Sequence, residues 1–595
     1  AGQSDLALRG TLPDADQFHL LNTNLVWPGR LADMELAATA VLRQVEAGGL
    51  KSEQLSLTNR WRAQRWELEV GSESARGGLH AEVDLNTTNR ELRFRADSTL
   101  DPFQFAPLLG TNAQHWLARA RWQTPPRARL HGRVVLPGWT NRAPDWKGEV
   151  LPSLAGAGHW QVGPCAFDGA EFQAIDAPFA LTNLTLNIPR AVVSRPEGQI
   201  LGSLATDLRA GDFQARLRSG VDPQAFKPWL SGADARRVFD FARFTQPPAL
   251  EGEVWGRFGD PARLGARGRL EATNFTLRGE RVGLCRTGVR YTNQVIECVE
   301  PVVERPGERG SAPLVTIDIR RGILILTNAQ GNLDPYALTR VIGPSAARAI
   351  APYRFESPPN ATANGVVDLK SKSHRDHLRL QIKGGPFQWE VFHLQALQGD
   401  VEWRGETVTL TNVFGKLHGG EMRGNAHFDF GVPVPGTDFA FQAQAEELNL
   451  RSLMRDISPG AKTNKLEGNL SGALVIHRAN TSDLQSWQGE GNLKLVNGVI
   501  WDIPMFGLFS PVLNAFAPGL GNSRAREGRA TFGITNSVIR TSDLQIHATA
   551  MRMQFEGVVD FTPLVDGRME AELLRDVPGV RSEERRVGKE CRSRW

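Results

Sequence analysis

Residues 378–383 read Leu-Arg-Leu-Gln-Ile-Lys, so that an apolar residue alternates with a polar one along the whole stretch. Side chains of a β-strand point alternately to opposite faces, and this period of two therefore predicts a strand with one apolar and one polar face. The same alternation recurs at residues 66–70, 213–218 and 426–430. Glycine pairs separate such stretches at residues 77–78, 384–385 and 419–420. The sequence predicts a mainly β protein with a long run of antiparallel strands.

A passage that occurs three times is the second signal. Each copy begins with Asp-Pro and ends with Pro-Pro, at residues 101–126, 222–248 and 334–359. An aspartate can cap a helix, a proline fits its first turn and Pro-Pro stops it, so each copy predicts a helix of about four turns that covers a sheet edge. A weaker fourth copy lies at 449–459, where Asn449 replaces the aspartate. Successive full copies start 121 and 112 residues apart, and such a period is typical of a repeat architecture.

A Thr-Asn pair also recurs near the predicted strands. The pairs lie at residues 58–59, 182–183, 273–274, 327–328, 411–412 and 535–536. Asparagine is common where a strand ends in a turn, so these pairs support the prediction of many short connections.

Composition limits the domain organisation and the partners. The 595 residues contain no low-complexity linker, which favours one elongated assembly. The net charge of +4 is small and its basic residues are dispersed, so we expect no nucleic-acid partner. The predicted division is four repeats, a C-terminal region and a non-native tail that breaks the strand pattern: 1–126, 127–248, 249–359, 360–465, 466–581 and 582–595.

The sequence offers little for catalysis. It has no Gly-x-Ser-x-Gly elbow, and His374 and His377 have no third ligand of matching character nearby, so we expect no enzyme activity, no cofactor and no metal site. Cys285 and Cys298 lie 13 residues apart on what could be two arms of a hairpin. A disulfide between them and two separate thiols both remain open.

The aromatic residues favour an apolar lining. The chain has 28 Phe and 15 Trp but only 3 Tyr, and surfaces that recognise polar partners tend to use the amphipathic Tyr. The alternative is an ordinary core between two packed sheets. Residues 502–521 are apolar with three prolines, which predicts two short helices that form either a buried plug or a helix lying in a membrane surface.

Five short stretches follow one another near the C-terminus: LKLVNGVI at 493–500, IPMFG at 503–507, PGLG at 518–521, ATF at 530–532 and GVVDF at 557–561. In this order they resemble the C-terminal region of the AsmA-like family of bacterial envelope proteins, most closely over residues 466–577. The resemblance implies a twisted, elongated sheet curled into an open groove with an apolar interior. Together with the helices expected from the residues, the predicted fold has one short helix per repeat and a short apolar helix pair near the C-terminus.

The resemblance also implies a function. It indicates a periplasmic, non-enzymatic conduit for phospholipid or another acyl lipid between the inner and outer membranes, anchored to the inner membrane by a segment that precedes this sequence. Envelope proteins are further expected partners. The alternatives are a structural or assembly factor for outer-membrane proteins or envelope integrity, and an adhesin-like surface repeat with a filled core.

The candidate lipid-binding residues are apolar side chains on the predicted inward face and in the C-terminal helix pair. They are Phe428, Phe430, Phe439, Phe441, Met505, Phe506, Leu508, Phe509, Val512, Leu513 and Phe516.

Overall fold

The computed structural model describes most of the chain. The described residues are 4–11, 19–21, 24–26, 35–47, 50–74, 77–108, 111–229, 240–343, 347, 350–351, 353–369, 376–389, 392–457, 467–498, 525–548, 551–561, 564–573 and 586–594. They divide into two units, 1–298 and 299–595. Each unit is built from antiparallel strands, so the prediction of a mainly β protein is confirmed.

The N-terminal unit holds strands β1 to β21, and β22 spans the division between the units. The strands are β1 (Ser4–Thr11), β2 (His19–Leu21), β3 (Asn24–Val26), β4 (Glu35–Ala47), β5 (Leu50–Arg62), β6 (Arg65–Ser74), β7 (Gly77–Asn86), β8 (Glu91–Ser98), β9 (Ala120–Trp122), β10 (Arg127–Val135), β11 (Ala155–Val162), β12 (Cys165–Phe167), β13 (Ala170–Phe172), β14 (Ala174–Thr182), β15 (Thr185–Arg195), β16 (Gly198–Asp207), β17 (Asp212–Ser219), β18 (Ala242–Phe244), β19 (Ala249–Arg257), β20 (Asp260–Leu277), β21 (Glu280–Thr292) and β22 (Val295–Arg305).

The C-terminal unit continues in the same style. Its strands are β23 (Glu308–Ser311), β24 (Leu314–Asp318), β25 (Ile323–Gly331), β26 (Tyr353–Phe355), β27 (Asn360–Asp368), β28 (His377–Gly384), β29 (Phe387–Trp389), β30 (Phe392–Arg404), β31 (Thr407–Leu417), β32 (Gly420–Asp429), β33 (Asp438–Asn449), β34 (Asn469–Asn480), β35 (Asp483–Gly498), β36 (Ala525–Thr535), β37 (Val538–Ala548), β38 (Met551–Asp560), β39 (Leu564–Leu573) and β40 (Arg586–Arg594).

The alternation of apolar and polar residues in the sequence corresponds to an alternation of burial along the strands. Strand β10 has the sequence RARLHGRVV, and its residues are alternately exposed and half-buried from one end to the other. Strand β28, which contains the stretch 378–383, follows the same rule. Each long strand pairs antiparallel with the long strands before and after it, as β31 does with β30 and β32. Such meanders need only short connections, which suits the many glycine and asparagine turns.

The Thr-Asn pairs mark left-handed backbone positions. The asparagines with positive φ in these pairs are Asn183, Asn274, Asn328, Asn412 and Asn536. Asn183 and Asn536 lie in two-residue hairpin turns, whereas Asn412 lies inside β31 at a break in register between Leu410 and Val413. Asparagine tolerates this conformation better than most residues, and a bulge increases the local bend and twist of a strand. The recurrent pair thus places turns and bulges in the meander.

The Asp-Pro passages form capped helices, as the sequence predicts. Phe103, Gln224 and Tyr336 each donate a backbone N–H to the capping aspartate two residues earlier, at 3.1, 2.9 and 3.0 Å. In the fourth copy, the backbone N–H of Ser452 donates to Asn449 Oδ1 at 3.0 Å. The corresponding helices are the 3-10 helices Pro102–Leu108 and Pro223–Trp229 and the α-helices Thr111–Ala118, Pro335–Ile342 and Leu450–Ile457.

A short strand also forms in each of the three full passages. The three-residue strands β9, β18 and β26 precede the Pro-Pro pairs, and each carries Arg before an aromatic residue. That aromatic residue packs near the helix: the ring centroids of Phe103 and Trp122 are 4.8 Å apart, and those of Tyr336 and Phe355 are 6.2 Å apart. The helices therefore cover strand ends.

The predicted non-native tail contains strand β40, which pairs antiparallel with β39. The five divisions predicted within the remainder of the chain stay predictions.

Candidate functional site

One face of the C-terminal unit carries a continuous row of apolar residues, here called the central row. Each residue of the central row lies directly opposite the next residue of the row, which belongs to the neighbouring strand. The central row is Ala329, Ala363, Leu380, Val401, Leu410, Ala426, Phe441, Ile476, Gly489, Ile534, Ile539 and Val559. Because paired strands lie about 4.8 Å apart, a row across twelve strands extends roughly 50 Å.

A parallel row of apolar residues and glycines runs beside the central row. It consists of Val413, Gly424, Ala443, Leu474, Gly491 and Phe532. The Phe532 ring lies over Gly491: a Cβ at Gly491 would be 2.5 Å from Phe532 Cζ. Because glycine has no side chain, an aromatic ring from the next strand can pack directly against the backbone of the sheet at this position.

Two buried clusters adjoin this face, one at an end of the strands and one on the central row. At one end of the strands Phe387, Leu394, Leu417 and Leu448 are buried, and Leu453 of the Leu450–Ile457 helix packs against them. The second cluster is formed by Ile476, Ala479 and Ile534, so Ile476 and Ile534 of the central row are themselves covered.

The apolar residues between the clusters are covered much less. Leu380, Val401, Leu410, Ala426 and Ala443 are only half-buried. Apolar side chains at the centre of a filled sandwich are usually fully buried, so this middle part of the face has free apolar surface.

The structure brings four of the predicted site residues together. Phe428 and Phe439 are directly opposite on β32 and β33, with ring centroids 6.3 Å apart. Phe439 and Phe441 stack at 6.2 Å, and the 56% exposed Phe430 stacks on Phe428 at 6.4 Å. These four rings form one aromatic ladder, and Phe441 belongs both to the ladder and to the central row.

Sequence reasoning missed two members of this ladder. Trp487 meets Phe439 edge-on at 5.4 Å, and Phe561 meets Trp487 edge-on at 5.7 Å. Trp487 alternates in step with Gly489, Gly491 and Leu493 on β35, and this period of two could have placed it on the apolar face. Phe561 follows strand β38, and no local pattern connects it to residue 487.

The other predicted site residues lie outside the described part of the chain. They are Met505, Phe506, Leu508, Phe509, Val512, Leu513 and Phe516.

The opposite face of the same sheet is charged. Glu402 lies between Val401 and Trp403 in the sequence, and its carboxylate is 2.7 Å from Arg404 Nη2 and 3.3 Å from Arg379 Nε. Hydrogen bonds from Arg404, His377 and Arg379 lower the pKa of Glu402 to about 2, although burial opposes the shift. Only one face of the sheet therefore suits an apolar ligand.

The N-terminal unit repeats this two-sided arrangement. Its apolar row is Ala40, Leu57, Val70, Ala81, Ala96, Leu130, Gly158 and Phe179. The Phe179 ring covers Gly158, where a Cβ would be 2.5 Å from Phe179 Cζ. On its other face Glu253 lies 2.7 Å from both Arg216 and Arg267, which lower its pKa by hydrogen bonding.

The cysteines of the N-terminal unit show no reactive character. Cys285 and Cys298 are both free thiols. Burial, with a smaller contribution from Cys298, raises the pKa of Cys285 to about 11, so this thiol is neutral at pH 7.

Comparisons with known proteins give no assignment: no protein-family model matches the chain, and no curated protein matches it significantly. Within the part of the chain that the structure describes, no helix is long and apolar enough to cross a membrane.

Proposed function

We propose that the protein is a non-enzymatic conduit for phospholipid or another acyl lipid, and that acyl chains lie on the apolar face. The observation that carries the proposal is the central row, whose side chains from Leu380 to Ala426 remain half-exposed in an unbroken apolar path. The aromatic ladder forms one border of this path, and the buried cluster around Leu394 forms the other.

The energetics of lipid transfer favour such a path. Moving apolar surface into water costs about 0.8 kcal/mol per methylene, so a chain of about 16 carbons faces on the order of 12 kcal/mol when it leaves a bilayer unaided. A continuous apolar face offsets this cost at every step of the movement. The proposed task needs no nucleophile and no general base.

The proposed setting follows the resemblance in the C-terminal region. A periplasmic protein anchored to the inner membrane would use the face to pass lipid toward the outer membrane. A groove built from repeats is part of the same proposal, because curling the sheet would shield bound acyl chains from water on more than one side.

A pair of neighbouring substitutions on β32 tests the proposal. Ala426→Asp puts a carboxylate on the apolar face, whereas Asn425→Asp puts one on the exposed polar face of the same strand. An ionised carboxylate repels an acyl chain because the lipid cannot replace its hydration, so we expect lipid co-purifying with Ala426→Asp to fall at least tenfold. Lipid bound to Asn425→Asp should stay at the wild-type level.

Lipid would be extracted and quantified by mass spectrometry, and circular dichroism would check that both variants keep their strands. Equal lipid content in the two variants would refute the proposed path. Capture of outer-membrane protein strands by a lipid-free chain would instead favour the assembly-factor alternative.

A further inference from the structure

A pocket lies where the Leu450–Ile457 helix meets the turn between β31 and β32. Its volume is about 560 Å³, and its polar lining includes His393, His418, Glu356 and Asp456. Phe387 and Leu394 of the buried cluster supply an apolar wall. The pocket thus combines a few convergent polar groups with apolar surface, as small-molecule sites do.

A buried ring nitrogen and a carboxylate oxygen lie close together in this pocket without a hydrogen bond between them. The His418 side chain is only 6% exposed, and its Nε2 atom makes no hydrogen bond. This nitrogen lies 3.3 Å from Asp456 Oδ2. Asp456 Oδ2 also lies 3.3 Å from the backbone N–H of His393, which donates to it, and 3.2 Å from His393 Nδ1. A buried polar atom without a hydrogen-bond partner is costly, so a ligand that supplies hydrogen-bond donors at this point would be stabilised.

Protonation of His418 is disfavoured at this position. Burial lowers the pKa of His418, and His393 acts in the same direction, although Asp456 opposes both. A neutral imidazole has one N–H and one lone pair, and with the proton on Nδ1 the Nε2 atom can accept a hydrogen bond from a ligand. The backbone of His418 has a φ of 48° because His418 and Gly419 form the two-residue turn between β31 and β32.

The lining also selects the kind of cation. The acidic residues that line the pocket are Glu356 and Asp456, and none of the described lining residues is Lys or Arg. Among the described residues no group of three His, Cys, Asp or Glu has a geometry that could hold a metal ion. The volume and the wall of Phe387 and Leu394 suit an organic cation, because methylene groups would contact the apolar side.

We propose that this pocket binds an organic ammonium group, which donates hydrogen bonds to Asp456 Oδ2 and His418 Nε2 while its carbon substituent packs against Phe387 and Leu394. The ammonium group comes either from a free amine or from the headgroup of an aminophospholipid. The proposal stands apart from the lipid conduit, since free amine binding does not need the apolar face.

Isothermal titration calorimetry of the full chain with ethanolamine tests the proposal. Binding should weaken about ten- to hundredfold in Asp456→Asn and in His418→Gln, because each loses a charge-assisted hydrogen bond to the ligand. His427→Gln, on the exposed face of β32, is the matched control and should bind like the wild type. Binding should also weaken as the pH is lowered, because a proton competes with the ligand for His418 Nε2.

Short-chain phosphatidylethanolamine and phosphatidylglycerol, used below their micelle-forming concentrations, distinguish the sources. Tighter binding of the ethanolamine lipid than of free ethanolamine identifies a lipid headgroup, whereas equal binding identifies a free amine. His418 Nε2 makes no hydrogen bond within the protein, so His418→Gln should fold like the wild type. This variant therefore tests the proposal even if Asp456→Asn does not fold. No binding of either amine, equal binding by wild type and both variants, or binding of Zn²⁺ alone would overturn the proposal.

Discussion

Enlarging an alanine should have opposite effects at two positions on neighbouring strands, Ala443 on β33 and Ala479 on β34. Ala443 lies opposite Gly424 and Leu474 on the apolar face and is half-buried. Ala479 is fully buried, with 0% exposure, in the cluster around Ile476. Ala443→Leu therefore adds carbon atoms over free surface, whereas Ala479→Leu forces them into occupied space.

The magnitudes follow from burial. Leucine adds three carbons, which would contribute about 2.4 kcal/mol when fully buried and about 1 kcal/mol when half-exposed. Overpacking a filled site costs about 1–3 kcal/mol. We expect Ala443→Leu to be neutral or more stable by up to about 1 kcal/mol, and Ala479→Leu to be less stable by about 1–3 kcal/mol.

Hydrogen exchange measured by mass spectrometry is the appropriate assay, because a chain of this size does not unfold in a single step and exchange reports the opening of individual strands. Peptides from β33 and β34 should keep their protection in Ala443→Leu and lose it in Ala479→Leu. Similar losses in both variants would mean that the middle of the apolar face is packed solid, and the reasoning would be refuted.

Three further predictions concern the cap, the core and pH. Asp334→Ala should cost about 1 kcal/mol and speed hydrogen exchange in the Pro335–Ile342 helix, because the bond to the Tyr336 N–H is lost, whereas Asp334→Asn should stay near wild type. Leu394→Ala should cost about 2–5 kcal/mol and speed hydrogen exchange in β30, because Leu394 is 4% exposed in its cluster. A smaller effect than that of Leu410→Ala, on the open face, would contradict this. The pKa of His418 is lowered on folding, so the unfolded chain binds more protons and stability should fall as the pH drops through about 6.5, the value of an unperturbed histidine. Thermal unfolding at several pH values should show a weaker dependence in His418→Gln than in wild type.

Strand content could be predicted from the sequence because it depends on local alternation. The stretch at 378–383 needs no distant information to place Leu380 on the face opposite Arg379. The helix caps were equally local, and Asp334 and Asn449 both accept the expected backbone hydrogen bonds. The Thr-Asn pairs were visible, but whether an asparagine such as Asn412 forms a turn or a bulge depends on how the next strand pairs.

The pocket at the Leu450–Ile457 helix could not be predicted, because its residues come from separate parts of the chain. His393 lies near the start of β30, and His418 follows the end of β31. Asp456 contacts them because the helix packs on the buried cluster. The aromatic ladder was predicted only in part. Its members on β32 and β33 are neighbours in a hairpin and follow from local pattern, whereas Phe561 joins them through tertiary packing. The short strands within the Asp-Pro passages were not predicted, because a three-residue strand such as β18 gains its stability from pairing, here with β20.

Photo-crosslinking at adjacent residues of β31 tests the central claim most directly. Benzoylphenylalanine would replace either Leu410, on the half-buried apolar face, or Thr411, which is exposed on the other face. If acyl chains lie on the apolar face, ultraviolet irradiation should attach lipid to the chain at position 410, and position 411 should stay unlabelled. Equal labelling at both positions, or labelling at position 411 alone, would contradict the account.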